Sequence, residues 1–146
     1  DVYKRQPLSL VDLCREVLAD VGVPREHIRF ELFTTGDEPV RAARPVEVRA
    51  GAKTIRIEVN LDGVSSTVES PVDAHESVLN AALRVRPDAP FACAGGVCGT
   101  CRARVIEGSV TMTENYALEP DELDRGYVLT CQSHPTSDRV VVDYDV

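Results

Sequence analysis

With 146 residues, 43% of them hydrophobic, the chain is long enough for one ordinary domain with a proper core. Its formal net charge of −8 disfavours nucleic acid as a partner, since phosphate binding calls for a basic face, and no apolar run is long enough to span a bilayer, so no membrane partner is expected. The acidity is uneven: residues 1–53 carry nine acidic and nine basic side chains, residues 54–146 fifteen acidic and seven basic. A basic protein surface is the partner such a half would steer towards itself; a merely solubilising acidic surface is the alternative.

Asp1-Val-Tyr-Lys-Arg-Gln6 resembles the translation of a transposon-derived sequencing adaptor and is set aside as a scar at 1–6. That implies a parent protein continuing upstream, of which this chain is a fragment. From Pro7 to Val21 the spacing predicts a helix, with Leu10, Leu13, Cys14, Val17, Leu18 and Val21 on one apolar stripe. Gly22 stops it and Pro24 follows. Cys14, on that stripe, reads as a buried, inert thiol. Ile28 to Phe33 alternates as a strand. One helix and one strand bury too little to stand alone, so residues 7–35 read as the tail of a larger domain. Residues 36–53, with Gly36, Pro39, Pro45 and Gly51, read as a linker.

Residues 54–146 read as self-contained. Lys53 to Asn60 alternates as a strand, Leu61-Asp62-Gly63 turns, and Val64 to Val68 returns. Ser77 to Val85 has helical spacing, a cysteine-bearing loop follows Pro90-Phe91, and Cys101 to Glu107 alternates as a strand ended by Gly108. Leu118 to Leu123 predicts a short helix with an early proline and acids in its first turn. Tyr127 to Cys131 is expected to be a strand delivering the last cysteine, and Arg139 to Tyr144 a closing strand. A hairpin, a crossing helix and further strands add up to an α+β domain with a small mixed sheet.

Four of the five cysteines carry the chemistry. Cys93-Ala-Gly-Gly-Val-Cys98-Gly-Thr-Cys101, with Cys131 further on, has the C-x4-C-x2-C…C spacing of plant-type [2Fe–2S] ligands. Two sulfide-bridged irons need four converging thiolates, and one loop supplies three only if it wraps closely. Gly95, Gly96 and Gly99 are free of side-chain bulk and open to positive φ, so their N–H groups can face the sulfurs. A structural zinc site would show two paired knuckles, and only Cys98 and Cys101 form one. A thioredoxin-like pair would want a βαβ setting, and a Rieske centre two histidine ligands. An odd cysteine count and the lack of an export signal speak against secreted disulfides; a reducing, cytoplasmic setting is expected.

These residues resemble a known family. Residues 54–146 are similar to a plant-type [2Fe–2S] ferredoxin domain of β-grasp fold. Residues 7–35, through Glu31-Leu32-Phe33, resemble the terminal helix and strand of the α/β nucleotide-binding domain of ferredoxin-NADP reductases. That layout is the one of a class of oxygenase reductases. Asn115-Tyr-Ala-Leu-Glu-Pro-Asp-Glu-Leu123, Gly126 to His134 and Val140-Val-Val-Asp-Tyr144 look most like the reductase components of phenylacetyl-CoA epoxidases, and reductases of steroid and other ring hydroxylases share the general form. The resemblance implies Cys93 and Cys98 on the iron nearer the surface, Cys101 and Cys131 on the inner one. It implies that in the complete parent NADPH reduces FAD, FAD reduces the cluster, and the cluster reduces the oxygenase component of a multicomponent di-iron monooxygenase. The chain has neither a flavin-binding domain nor the glycine-rich nucleotide loop, so no residue here is assigned to FAD or NADPH. A free-standing ferredoxin with an N-terminal arm and a zinc-stabilised interaction module are the rival readings.

Other polar residues lack catalytic partners in the sequence. His27, His75 and His134 read as surface or turn residues. Asp121, Glu122 and Asp124 form either a solvated helix face or a docking surface, and Tyr116 and Tyr127 either cover the cluster or pack in the core.

Overall fold

The computed structural model describes residues 8–24, 27–28 and 44–146. In chain order the described helices and strands are α1 (Leu8–Asp20), β1 (Thr54–Leu61), β2 (Val64–Pro71), α2 (Val78–Val85), β3 (Arg102–Glu107), β4 (Val110–Met112), α3 (Pro120–Asp124), β5 (Tyr127–Leu129), β6 (Ser133–Pro135) and β7 (Arg139–Asp143). The alternation in β1 puts Ile57, Val59 and Leu61 on the buried face. Asp62 and Gly63 both take positive φ, 54° and 70°, which is the hairpin turn an Asp-Gly pair favours. The register runs without slippage from Thr54↔Pro71 to Leu61↔Val64. Near the chain's end, the Asp145 carboxylate accepts both turn N–H groups at 2.8 Å and so fastens the hairpin to the last strand.

β7 pairs parallel with β1, Ile57 opposite Val140 and Val59 opposite Val142. A parallel neighbour needs a crossover, and α2 belongs to it. The full order is β2-β1-β7-β3-β5, the mixed sheet with a helix across one face that the sequence predicts and the β-grasp arrangement that the resemblance implies. Ser77 caps α2 by accepting the Asn80 N–H. The helix buries Val78, Leu79, Ala81 and Ala82 against Ile57, Val59, Val68, Val140 and Val142. Full burial of each large aliphatic side chain contributes about 1.5–3 kcal/mol.

One buried ion pair sits beside this core. The Glu76 side chain is 1% exposed; it accepts from Arg84 at 2.7 and 3.0 Å, from Ser70 Oγ at 2.6 Å and from the Asn80 amide. Arg84 also donates to the Glu69 carbonyl at 2.9 Å. Asn80 thereby presents its amide to the segment leading into the domain: Oδ1 accepts the Arg44 N–H at 2.6 Å and Nδ2 donates to the Arg44 carbonyl at 3.2 Å.

Several expectations need correcting or bounding. The strand predicted over 127–131 ends at Leu129, and Cys131 lies in the turn beyond it, closed by the Gln132 N–H on the Leu129 carbonyl at 2.9 Å. A second, two-stranded sheet, β4 with β6, was not predicted, since three-residue strands carry no readable alternation. The helix predicted over 7–21 is present as α1, but Cys14 is exposed rather than buried, as are Leu13, Val17, Leu18 and Val21. Ile28 is not in a strand, and residues 29–33 of the expected strand lie outside the described residues, as do 36–43 of the expected linker. Residues 44–53 are irregular, with a turn at 50–51. Among the described residues no helix is long and apolar enough to cross a membrane.

Removing Glu76 strands the Arg84 charge in a mostly buried position. Glu76→Ala is expected to lower the unfolding free energy by about 3–5 kcal/mol in urea titrations, and Glu76→Gln, which keeps the shape and part of the hydrogen bonding, by less.

Candidate metal centre

The loop between α2 and β3 is irregular because its backbone is turned to face one sulfur. Cys93 Sγ accepts N–H groups from Gly95 at 3.3 Å and from Val97 and Cys98 at 3.4 Å. Cys98 Sγ accepts the Thr100 N–H at 3.5 Å. Such a nest needs left-handed residues between right-handed ones. Gly96 (φ 79°) and Gly99 (φ 71°) supply two, as expected; the third is Ala94 (φ 51°) rather than Gly95. A non-glycine there costs about 1–2 kcal/mol, and the amides gathered on Cys93 offset it.

The neighbours of the loop hold this curl. The Gly96 carbonyl accepts the Tyr116 N–H at 2.9 Å. Gln132, next to Cys131, donates to the Ala94 carbonyl at 2.9 Å and is itself held by Thr113 Oγ1 at 2.8 Å. A Cβ on Gly96 would lie 3.0 Å from the Glu114 carbonyl and 3.1 Å from Gln132 Cγ. Asn115 ties the 115–118 turn by accepting from Ala117 and Leu118 and donating to the Leu118 carbonyl. Site reasoning from the sequence missed Gln132, whose adjacency to Cys131 was the one available signal.

The four thiols fall into two pairs. Cys93 and Cys98 form the outer pair, with Cys98 exposed; Cys101 is buried and Cys131 half-buried. The inner pair packs with Leu118 and Leu129 and against Phe91, Met112, Ala117 and Tyr127. Within it the Cys131 thiol hydrogen-bonds to Cys101, and chiefly for that reason Cys101 is lowered to about 6. The same bond, helped by burial, pushes Cys131 well above the ordinary thiol range. At Cys98 burial pushes upward, but hydrogen bonds from Thr100 and at Cys93 outweigh it and the thiol is lowered. Among the described residues no three His, Cys, Asp or Glu side chains gather as ligands of a single ion. Two pairs of thiols, one polarised by backbone amides and one in an apolar wall, are a donor set that fits two bridged irons.

Beneath the inner pair lies Thr130, fully buried. Its N–H (3.2 Å) and its hydroxyl (2.9 Å) both donate to the Cys101 carbonyl, and its own carbonyl accepts the Leu79 N–H of α2 at 3.0 Å. Tyr144 OH donates to Thr130 Oγ1 at 2.9 Å, and burial of that hydroxyl end pushes the phenol above its ordinary value.

The remaining candidates lie elsewhere or are otherwise engaged. His27 and His75 are exposed, and His134 Nδ1 lies 3.0 Å from the His75 carbonyl. Asp121 pairs with Arg125 at 2.9 Å, and Glu122 with Arg102 at 2.5 Å while closing the capping box of α3. Asp124 alone of the three has no ion pair among the described residues. Tyr127 is stacked under the Arg102 guanidinium at 4.3 Å, with that of Arg125 at 5.5 Å.

A β-grasp sheet that carries three thiols on a glycine-rich loop and a fourth on the facing turn defines a ferredoxin-type electron-transfer domain. The chain belongs to the family of 2Fe-2S iron-sulfur cluster binding domains, whose model matches residues 59–136. It is 42% identical over 139 residues to a 1,2-phenylacetyl-CoA epoxidase component of Escherichia coli K12, and 36% identical over 139 residues to the 3-ketosteroid-9-alpha-monooxygenase ferredoxin reductase component of Mycobacterium tuberculosis. Each match covers 95% of this chain and 38% of the relative, so the chain spans well under half the length of these proteins. Phthalate dioxygenase reductase shares the fold at a TM-score of 0.54 and 21% identity, over 94% of this chain and 37% of that one.

Gly96→Val puts a branched side chain at φ 79° against the Glu114 carbonyl. The variant is expected to keep its far-UV circular dichroism and to lose most of its capacity to retain iron and sulfide on reconstitution, measured by metal and sulfide analysis.

Proposed function

We propose that this chain relays single electrons through a [2Fe–2S] cluster held by Cys93, Cys98, Cys101 and Cys131, as the C-terminal part of an NAD(P)H-dependent oxygenase reductase. The observation that carries the reading is the pairing of the four thiols, outer with outer and inner with inner, within a loop whose amides already face sulfur. Cys93 and Cys98 are assigned to the iron nearer the surface, Cys101 and Cys131 to the inner one. When bound, such a cluster accepts and returns one electron at a time at a low potential, roughly −400 mV for the plant type.

The residues contribute position and polarity. Amide N–H groups are directed at the Cys93 sulfur, Leu118 and Leu129 exclude water from the inner pair, and exposed Cys98 marks the side from which an acceptor approaches. Residues 7–35 are assigned to the end of a reductase domain, which the exposed stripe of Leu13, Val17, Leu18 and Val21 supports. FAD and NADPH belong to the upstream parts of the parent, and a cytoplasmic setting suits the reduced thiols.

The acceptor is inferred to be the oxygenase component of a phenylacetyl-CoA 1,2-epoxidase, on the 42% identity to a component of such an epoxidase over nearly the whole chain. The second reading, a reductase of a steroid hydroxylase, rests on the 36% identity.

An anaerobic preparation assayed for iron, sulfide and zinc, with an EPR spectrum after dithionite reduction, tests the centre. Two irons and two sulfides per chain with a rhombic S = 1/2 signal are expected; one zinc without sulfide would sink the redox reading. The isolated chain is expected to oxidise no NADPH. Reoxidation of the dithionite-reduced chain by purified oxygenase components distinguishes the two acceptors by rate.

A further inference from the structure

Thr130 lies beneath the inner thiols and uses every polar group it has. Both of its donors go to one acceptor, the Cys101 carbonyl, and its own carbonyl is taken by Leu79. Its hydroxyl oxygen is filled from the closing end of the sheet by Tyr144. The result is a directed chain, Tyr144 O–H to Thr130 O–H to the Cys101 carbonyl, that joins the residue after β7 to the peptide of one inner cysteine and the residue preceding the other. Thr130 would keep its hydrogen bond to Cys101 if position 144 were phenylalanine, so satisfying Thr130 does not require the tyrosine hydroxyl. Burying that hydroxyl needs a separate reason. Its site supplies one, for through Thr130 it is joined to the peptide of Cys101 and to the residue beside Cys131.

We propose that Tyr144 is a positioning residue for the inner cysteine pair, fixing through Thr130 the direction of the donor at the Cys101 carbonyl and thereby the reduction potential of a cluster bound there. This rests on the assignment of Cys101 and Cys131 as ligands. A hydrogen bond donated to the Cys101 carbonyl draws electron density out of that ligand's peptide and so favours a centre that gains negative charge on reduction. Removing the outer donor therefore lowers the potential. The position of Tyr144 also explains how the last strand, far from the cysteine loop in sequence, bears on the metal centre.

The test uses the full chain, reconstituted with iron and sulfide, as wild type, Tyr144→Phe, Thr130→Val and the double variant. Midpoint potentials are read by EPR-monitored titration and global stability by thermal melting. Tyr144→Phe is expected to reduce the ratio of reduced to oxidised cluster about threefold at fixed poise, which at 59 mV per tenfold for one electron is about 28 mV more negative. Thr130→Val is expected to shift the potential in the same direction, and the double variant to go no further than Thr130→Val alone, because the two hydroxyls act as one chain. A potential unchanged in Tyr144→Phe, or shifts that add in the double variant, would overturn the proposal. Should Thr130→Val fail to fold, the potential of Tyr144→Phe decides by itself, supported by faster amide exchange at Thr130 and Cys131 in its apo form. A wild-type chain that takes up no cluster would instead refute the ligand assignment.

Discussion

Sulfurs that carry negative charge repel one another, and a loop that sets cysteines side by side must bring compensating charge to the same place. Here that comes chiefly from the backbone. Three peptide N–H groups face Cys93 and a fourth faces Cys98, and they do so because the chain turns left-handed at Ala94, Gly96 and Gly99. Side chains could not do this work in so short a loop: a lysine or arginine would bring a full charge, a long stem and its own hydration. Amides bring partial charges that are already oriented, with little further entropy to lose once the loop is folded.

The rest of the domain holds that loop still. Tyr116 and Gln132 anchor its carbonyls from the second sheet's connections, Thr130 anchors Cys101 from beneath, and α2 anchors Thr130 through Leu79. The β-grasp topology makes this possible. The parallel pairing of β1 with β7 sends the chain around the whole sheet before it closes, and the fourth cysteine is delivered on that return journey. The aliphatic core under α2 and the apolar wall around Cys101 share Phe91 and Cys131 as packed neighbours, which couples fold and site physically.

Sequence patterns made the large elements legible, and for clear reasons. Alternation in β1 and helical spacing in α2 each run for eight residues, and an Asp-Gly pair marks the turn between β1 and β2. The cysteine spacing pointed to the 2Fe-2S family to which the chain belongs. What stayed hidden depends on contacts between distant residues. Three-residue β4 finds β6 more than twenty positions later, and nothing local marks either. Ala94, not Gly95, takes the left-handed conformation, because position in the nest decides it and not the freedom of the residue. Gln132 and Thr130 are ordinary polar residues until the fold sets them against Ala94 and Cys101. Cys14 looked buried because an apolar stripe implies a covering surface, and none of the described residues shields it.

The two hydrogen bonds between Asn80 and the Arg44 peptide have a consequence for geometry at larger scale. Were the domain to begin at β1, residues 44–53 would be tether, adding up to about 33 Å of reach at the extended limit. Fastened to α2 at Arg44, they are held at both ends, and the reach of the chain before them is counted from Arg44 instead of Thr54. A shorter tether confines its two ends to a smaller volume and raises the effective concentration of one at the other. An asparagine on the helix, oriented by a buried carboxylate, thus sets where the free reach of the preceding chain begins, without touching any of the four sulfurs.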